Sequence, residues 1–190
     1  NPTKPVGYFH TEKDAKSLAE EMGWTMRKDS GRGWRMVVAS PKPKHICDIS
    51  LMKELSANGT VVIAGGGGGV PVVRDKQGLR KGVEAVIDKD LTTAHMANVL
   101  EIEKMMILTA VSKVSVHFGK PEQKELDQIT VSEAKQFHEN GHFPPGSMGP
   151  KIEAAIRFIE GGGKRAIIGH LEEALPVLRG ETGTHIIPSP

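Results

Sequence analysis

The chain has 190 residues, and its 25 Lys and Arg against 23 Asp and Glu give a formal net charge of +2. This balance gives no reason to expect a nucleic-acid or anionic-membrane surface. The apolar fraction of 38% and the 22 glycines are typical of a globular protein, and no apolar run approaches the ~18 residues of a membrane span. With no signal segment and a single cysteine, Cys47, we expect a soluble cytoplasmic protein without disulfides.

Residues 1–44 differ in composition from the rest of the chain. Prolines at positions 2, 5, 41 and 43 frame them, and a small helix is predicted from about Thr11 to Met22. Both tryptophans of the chain also lie here. We therefore predict a small subdomain over residues 1–44, attached to a larger body over residues 45–190.

From residue 45 onward, helical and strand patterns alternate as they do in a parallel α/β sheet. Asp48 is a candidate cap for a helix that ends before Gly59. Residues 60–64 are predicted to form a buried strand because they contain Val61, Val62 and Ile63, three consecutive aliphatic β-branched residues. Thr130 and Glu133 have the spacing of a capping box. Further helices are predicted at 91–100, 130–139, 150–160 and 172–178, and further strands at 105–111, 166–169 and 184–187.

Five glycines, residues 65–69, follow the predicted strand directly. Gly65, Gly66 and Gly67 would let backbone amides approach an anion closely, since no Cβ intervenes. Val70–Val73 come next and are predicted to form a strand instead of a helix, so the Rossmann and P-loop motifs are both rejected. A flexible turn and a phosphate or substrate contact remain as alternatives.

Two lysines stand at predicted helix starts next to polar or glycine-containing loops. Lys89 precedes Asp90, and Lys151 follows the loop that contains Ser147 and Met148. The positive end of the helix dipole opposes a cation there, so two such lysines suggest an anionic ligand such as a nucleotide phosphate. For Asp90, helix capping is the structural alternative.

The histidines do not predict a metal site. His95, His117, His138, His142 and His170 lack the spacing of a metal-binding motif, so no protein metal ligand is assigned. No G-x-S-x-G sequence supports serine hydrolase chemistry either.

Several ordered strings together resemble the carbamate kinases of the amino-acid kinase family. They cover nearly the whole chain: residues 1–7 (NPTKPVG), 31–35 (GRGWR), 40–43 (SPKP), 64–72, 84–91 (EAVIDKDL), 107–109, 141–143 and 146–151 (GSMGPK). The resemblance implies a three-layer αβα sandwich on a mostly parallel sheet, with residues 1–44 as a protruding subdomain, and a homodimer. It implies reversible phosphoryl transfer between carbamoyl phosphate and ADP, giving ATP and carbamate.

The same resemblance implies roles for particular residues. Lys89 and Lys151 would contact the transferring phosphoryl group, Asp90 would orient both lysines, and Lys4 would reach in from the subdomain. The strand that ends at Thr109 and the loop of residues 147–151 would hold ATP or ADP, with Mg²⁺ carried by the nucleotide. Ala110 stands where many members of the wider family have an acidic residue, so any carboxylate role falls on Asp90.

The N-terminal part of such kinases, with the first glycine loop and the loop that grips carbamate, is absent from these 190 residues. We therefore expect the segment alone to be inactive. Two alternatives stay open: a non-catalytic nucleotide-binding fragment or a partner subunit that needs its missing half in trans, and a sister kinase that acts on a carboxylate.

Overall fold

A computed structural model describes residues 2–29 and 31–190, so Asn1, which opens the string NPTKPVG, lies outside the described residues. The chain forms two compact units. The first comprises Asn1–Lys42 and Gly67–Asp88, and the second comprises Pro43–Gly66 and Lys89–Pro190. The division into residues 1–44 and 45–190 stays a prediction, and residues 67–88 group with the first unit. A bridge between Ala39 and Ala85, with a hydrogen bond from the Val86 N–H to the Ala39 carbonyl, ties them to it.

The first unit is built on a three-stranded antiparallel sheet in the order β1-β3-β2. The helix predicted near residues 11–22 is present, and the Thr11 hydroxyl caps it by accepting a hydrogen bond from the Asp14 N–H. A separate hairpin follows the glycine run. The elements are β1 (Lys4–His10), α1 (Glu12–Met22), β2 (Met26–Asp29), β3 (Gly33–Val38), β4 (Val72–Arg74) and β5 (Arg80–Gly82).

The second unit contains the remaining helices and a four-stranded sheet. Its elements are α2 (Ile49–Ala57), α3 (Lys89–Val99), β6 (Lys104–Thr109), β7 (Val114–Val116), β8 (Lys124–Leu126), β9 (Gln128–Thr130), α4 (Val131–Glu139), α5 (Met148–Glu160), β10 (Arg165–His170), a 3₁₀ turn (Leu171–Glu173), α6 (Ala174–Arg179) and β11 (Thr184–Ile187). The sheet order is β6-β10-β11-β9. The β6–β10 and β11–β9 pairs are parallel and β10–β11 is antiparallel, so the predicted mostly parallel sheet is confirmed.

Both faces of β10 are covered by helices. Ala166 and Ile168 belong to the buried core that also contains Ile152 and Ala155 of α5. Successive strand residues point to opposite faces, so Gly169 faces the other way. There it packs so tightly against α6 that a Cβ would lie 2.5 Å from a Val177 methyl group. Helices thus enclose the sheet in three layers, as predicted.

The helix boundaries follow local signals. Thr130 and Glu133 form the predicted capping box: the Thr130 hydroxyl accepts from the Glu133 N–H, and the Glu133 carboxylate accepts from the Thr130 N–H. These bonds from Thr130 hold the pKa of Glu133 below its ordinary value. Asp48 precedes α2 as predicted, but its side chain makes no capping bond. Among the described residues, no helix has the length and apolar character needed to cross a bilayer.

The prediction of a strand at residues 60–64 is wrong. The segment is not a strand, and the side chains of Val61 and Ile63 are 88% and 97% exposed. A strand needs a hydrogen-bonded neighbour, and no strand in the described part of the chain pairs with this segment. Its β-branched sequence alone does not supply that neighbour.

Candidate functional site

Lys89, Asp90 and Lys151 are in direct contact. The Lys89 ammonium donates to both Asp90 carboxylate oxygens, with each N···O distance at 3.1 Å, and the Lys151 ammonium donates to Asp90 Oδ2 at 2.9 Å. The Asp90 and Lys151 side chains are only 9% and 14% exposed, while that of Lys89 is 56% exposed. One buried carboxylate therefore holds two ammonium groups.

The packing of α3 against α5 creates this contact between residues 61 positions apart. Lys89 and Asp90 are the first two residues of α3, and Lys151 lies in the first turn of α5. Asp90 is inside the helix, so it does not occupy the capping position that was its structural alternative. Two helix starts thus contribute their first turns to one cluster.

The charge of the cluster favours an anion. Two ammonium groups against one carboxylate leave a net charge of +1, and both helix dipoles present their positive ends here. The Asp90 carboxylate offsets part of the unfavourable lysine–dipole interaction, so the lysines alone do not demand a ligand. A phosphate close to both lysines would gain from the remaining charge and from the limited access of water around Asp90.

The loop before α5 has a folded shape. The Pro144 carbonyl accepts hydrogen bonds from the N–H groups of Ser147 and Gly149, at 3.2 and 2.9 Å. Ser147 is exposed and occupies the N-cap position without a side-chain capping bond, while Met148 packs against the core. In this loop, Met148 therefore packs against the core and Ser147 is exposed to solvent.

Thr109 is the last residue of β6 and is half-buried. In the parallel ladder it lies beside His170, the last residue of β10. The His170 Nδ1 atom accepts a hydrogen bond from the Glu172 N–H, which places any proton of a neutral ring on Nε2. His170 was not among the predicted site residues, because only strand register brings it beside Thr109.

Lys4 forms its own ion pair in the first unit. Its ammonium lies 2.5 Å from Asp88 Oδ2, and Asp88 is buried. Asp88 was not among the predicted site residues, although it stands in the string EAVIDKDL two residues before Asp90. The acidic residues on both sides of Lys89 were the sequence feature that could have marked Asp88 as a site residue.

The glycine run divides into residues with different surroundings. Gly65 lies against α3, since a Cβ there would be 3.6 Å from Met96 and 3.8 Å from Thr92. Gly66 and Gly67 have open space around the Cβ position. Gly68 is buried, and a Cβ there would lie 1.8 Å from the Ile87 carbonyl oxygen. At least one glycine is therefore required by packing alone.

We expect Gly68→Ala to lower the free energy of unfolding by at least about 2 kcal/mol, because the backbone has φ +133° and the methyl group would collide with a backbone carbonyl. Urea denaturation measures the change. Gly67→Ala is the matched control, since nothing lies within 4 Å of its Cβ position. Equal stability of the two variants would contradict the assigned role of Gly68.

Metal binding by the protein has little support in this geometry. Over residues 2–29 and 31–190, no group of three or more His, Cys, Asp or Glu side chains could hold a metal ion. Asp88 and Asp90, the buried carboxylates near residue 89, are each bonded to lysine.

The sequence pattern of the amino-acid kinase family matches residues 12–170. The chain belongs to the amino-acid kinase family. Among its relatives, the carbamate kinase of Pyrococcus furiosus is 52% identical over 188 residues, which are 99% of this chain and 60% of that protein.

Solved structures agree with this assignment. Carbamate kinase from Giardia lamblia bound to AMP-PNP has a TM-score of 0.86 and 45% identity, covering 100% of this chain and 60% of that one. A crystal structure from Aeropyrum pernix has a TM-score of 0.90 and 46% identity, covering 100% of this chain and 61% of that one. The chain thus spans about 60% of the length of these relatives.

Proposed function

We propose that the chain is the nucleotide-binding part of a carbamate kinase, which transfers a phosphoryl group between carbamoyl phosphate and ADP. The single observation that carries the proposal is the contact of Lys89 and Lys151 with one buried carboxylate, Asp90. The 52% identity to the Pyrococcus furiosus enzyme supports the choice of reaction.

The chemistry of phosphoryl transfer suits such a cluster. The reaction brings two anions together, and catalysis depends on positioning and on stabilising the charge of the transferring group. Lys89 and Lys151 would donate hydrogen bonds to its oxygens. Asp90 would fix both ammonium groups in advance, so that little reorganisation is needed when charge develops.

Nucleotide binding is assigned to the neighbouring elements of the second unit. Thr109 at the end of β6 and the loop that carries Ser147 and Met148 would hold ADP or ATP, and Gly65 and Gly66 would leave room for the phosphates. The AMP-PNP complex of the Giardia lamblia relative supports a nucleotide ligand. Mg²⁺ would enter with the nucleotide, where it neutralises phosphate charge.

The other assignments follow from the resemblance. Lys4, which pairs with Asp88, and Gly67 are proposed as further nucleotide or substrate contacts. The complete enzyme is proposed to be a cytoplasmic homodimer. Because the chain spans about 60% of its relatives, residues that grip carbamate are proposed to lie in the remaining part.

Two measurements test this function. Calorimetry with the 190-residue chain should detect weak, saturable ADP binding, while the chain alone should form no ATP from carbamoyl phosphate. A joined enzyme, in which the part of the Pyrococcus furiosus relative that lies outside the match is fused to the chain, should form ATP. Absence of ADP binding, or faster turnover with a carboxylate acceptor than with carbamate, would overturn the proposal.

A further inference from the structure

His170 is the last residue of β10 and lies beside Thr109, the last residue of β6. The two strands are parallel, and their register pairs Ile168 with Ile107 and His170 with Thr109. Residues two positions apart in a strand face the same side of a sheet. Ile107 and Ile168 belong to the core that contains residues of α3 and α5. Thr109 and His170 therefore lie on the face of the sheet that these two helices cover.

The first turns of α3 and α5 lie at the same edge of the sheet as His170. Each helix packs on the strand that follows it after a short turn, β6 after α3 and β10 after α5, so each helix runs antiparallel to its strand. From Lys151 to Glu160, α5 extends about 14 Å. From its first to its last residue, β10 extends about 17 Å. Lys151 and His170 are therefore at a similar height, and Asp90 of α3 has the same relation to Thr109.

The imidazole ring of His170 presents one hydrogen-bond donor. Its Nδ1 atom accepts a hydrogen bond from the Glu172 N–H at 3.2 Å, so the proton of the neutral ring is on Nε2. The hydrogen bonds within residues 2–29 and 31–190 give Nε2 no acceptor, and this atom is open to solvent. The bond from Glu172 thus fixes the ring and leaves the Nε2–H group for a ligand.

We propose that His170 is a further nucleotide-binding residue, and that its Nε2–H group donates a hydrogen bond to a phosphate oxygen of ADP or ATP. The inference rests on the proposed function, which makes a nucleotide the ligand at this edge. The net positive charge of Lys89, Asp90 and Lys151 favours phosphate there. A hydrogen bond to a charged phosphate oxygen is stronger than one between neutral groups. The neutral ring supplies it without adding to the repulsion between the two ammonium groups.

Capping of the following turn is the structural role of the same side chain, and two substitutions separate it from ligand binding. The Asn side chain is short and suits a capping position, so His170→Asn keeps an acceptor for the Glu172 N–H but removes the Nε2 donor. The Gln side chain is longer, so His170→Gln keeps a donor near the position of Nε2 but loses the short cap. Ligand affinity and stability should therefore respond in opposite directions.

Calorimetry with the 190-residue chain measures the dissociation constants for ADP and for pyrophosphate. We expect His170→Asn to raise both at least tenfold, as the loss of a hydrogen bond to a charged group does, and to leave the melting temperature unchanged. His170→Gln should keep the dissociation constant for ADP within threefold of the parent but should melt at a lower temperature.

The matched control is His185→Asn, which changes a half-buried histidine of β11 in the same unit. The sheet register pairs His185 with Ile167, so it lies on the face opposite to His170. Its substitution should leave the dissociation constant for ADP within twofold of the parent.

Binding of ADP by the parent chain separates this inference from the proposed function. If the parent binds no ADP, both are overturned. If the parent binds ADP and His170→Asn binds it equally well, only the inference is overturned. Weaker ADP binding by His170→Gln than by His170→Asn would leave His170 with capping alone and also overturns the inference. A loss of ADP affinity in His170→Asn without a loss of pyrophosphate affinity would assign the contact to the nucleoside, and overturns it equally.

Discussion

Lys151→Ala in the joined enzyme is expected to lower kcat for ATP formation by on the order of 100-fold, as the loss of one preorganised donor does in other enzymes. Lys151 is the better positioned of the two lysines, because its side chain is largely buried and its ammonium lies 2.9 Å from Asp90. Steady-state kinetics with carbamoyl phosphate and ADP measure the effect. The free energy of unfolding should also fall by about 1–3 kcal/mol, because the buried Asp90 carboxylate loses one charge-assisted hydrogen bond while it keeps its contact with Lys89.

Lys135→Ala is the control for the loss of a lysine from an ion pair. Lys135 pairs with Glu160 on the exposed side of α5, where such pairs contribute about 0–1 kcal/mol. Its kcat should equal that of the parent. If Lys151→Ala keeps full turnover, Lys151 is only a structural residue of the first helical turn.

Asp90→Asn is expected to reduce kcat at least 10-fold while retaining the shape of the side chain. The amide keeps an oxygen acceptor but loses the charge that holds two ammonium groups, so Lys89 and Lys151 repel one another and lose their fixed positions. The free energy of unfolding should fall by about 1–3 kcal/mol, since a buried, charge-assisted hydrogen bond to Lys151 is weakened.

Asp127→Asn provides the comparison at an exposed site. Asp127 pairs with Lys113 at 2.5 Å, but its side chain is open to solvent. Neither turnover nor stability should change much there. Full activity of Asp90→Asn would show that the lysines do not need the carboxylate charge, and would leave Asp90 with a purely structural role.

Local signals predicted much of the fold. The capping box at Thr130 and Glu133 marks the start of α4, and the helix predicted at 150–160 is present as α5, with one apolar face buried. Such features depend on neighbours a few residues away. The strand at residues 60–64 failed because its formation depends on a distant partner, which no local pattern contains.

In the candidate site, too, local features were predictable from the sequence, whereas contacts between distant residues were not. Lys89 and Lys151 stood out because cations are unfavourable at helix starts. Their joint contact with Asp90 depends on the packing of α3 against α5, which single-sequence periodicity does not specify. His170 beside Thr109 and Asp88 beside Lys4 depend in the same way on sheet register and on the fold of the first unit.

The shared carboxylate has a consequence for how this sequence can vary. Asp90 divides its oxygens between Lys89 and Lys151, so removal of either lysine changes the geometry and the field experienced by the other. Residues linked through a common partner do not contribute additively. Substitutions at positions 89, 90 and 151 therefore affect one another. A series of substitutions that keeps the function would have to change these three residues together.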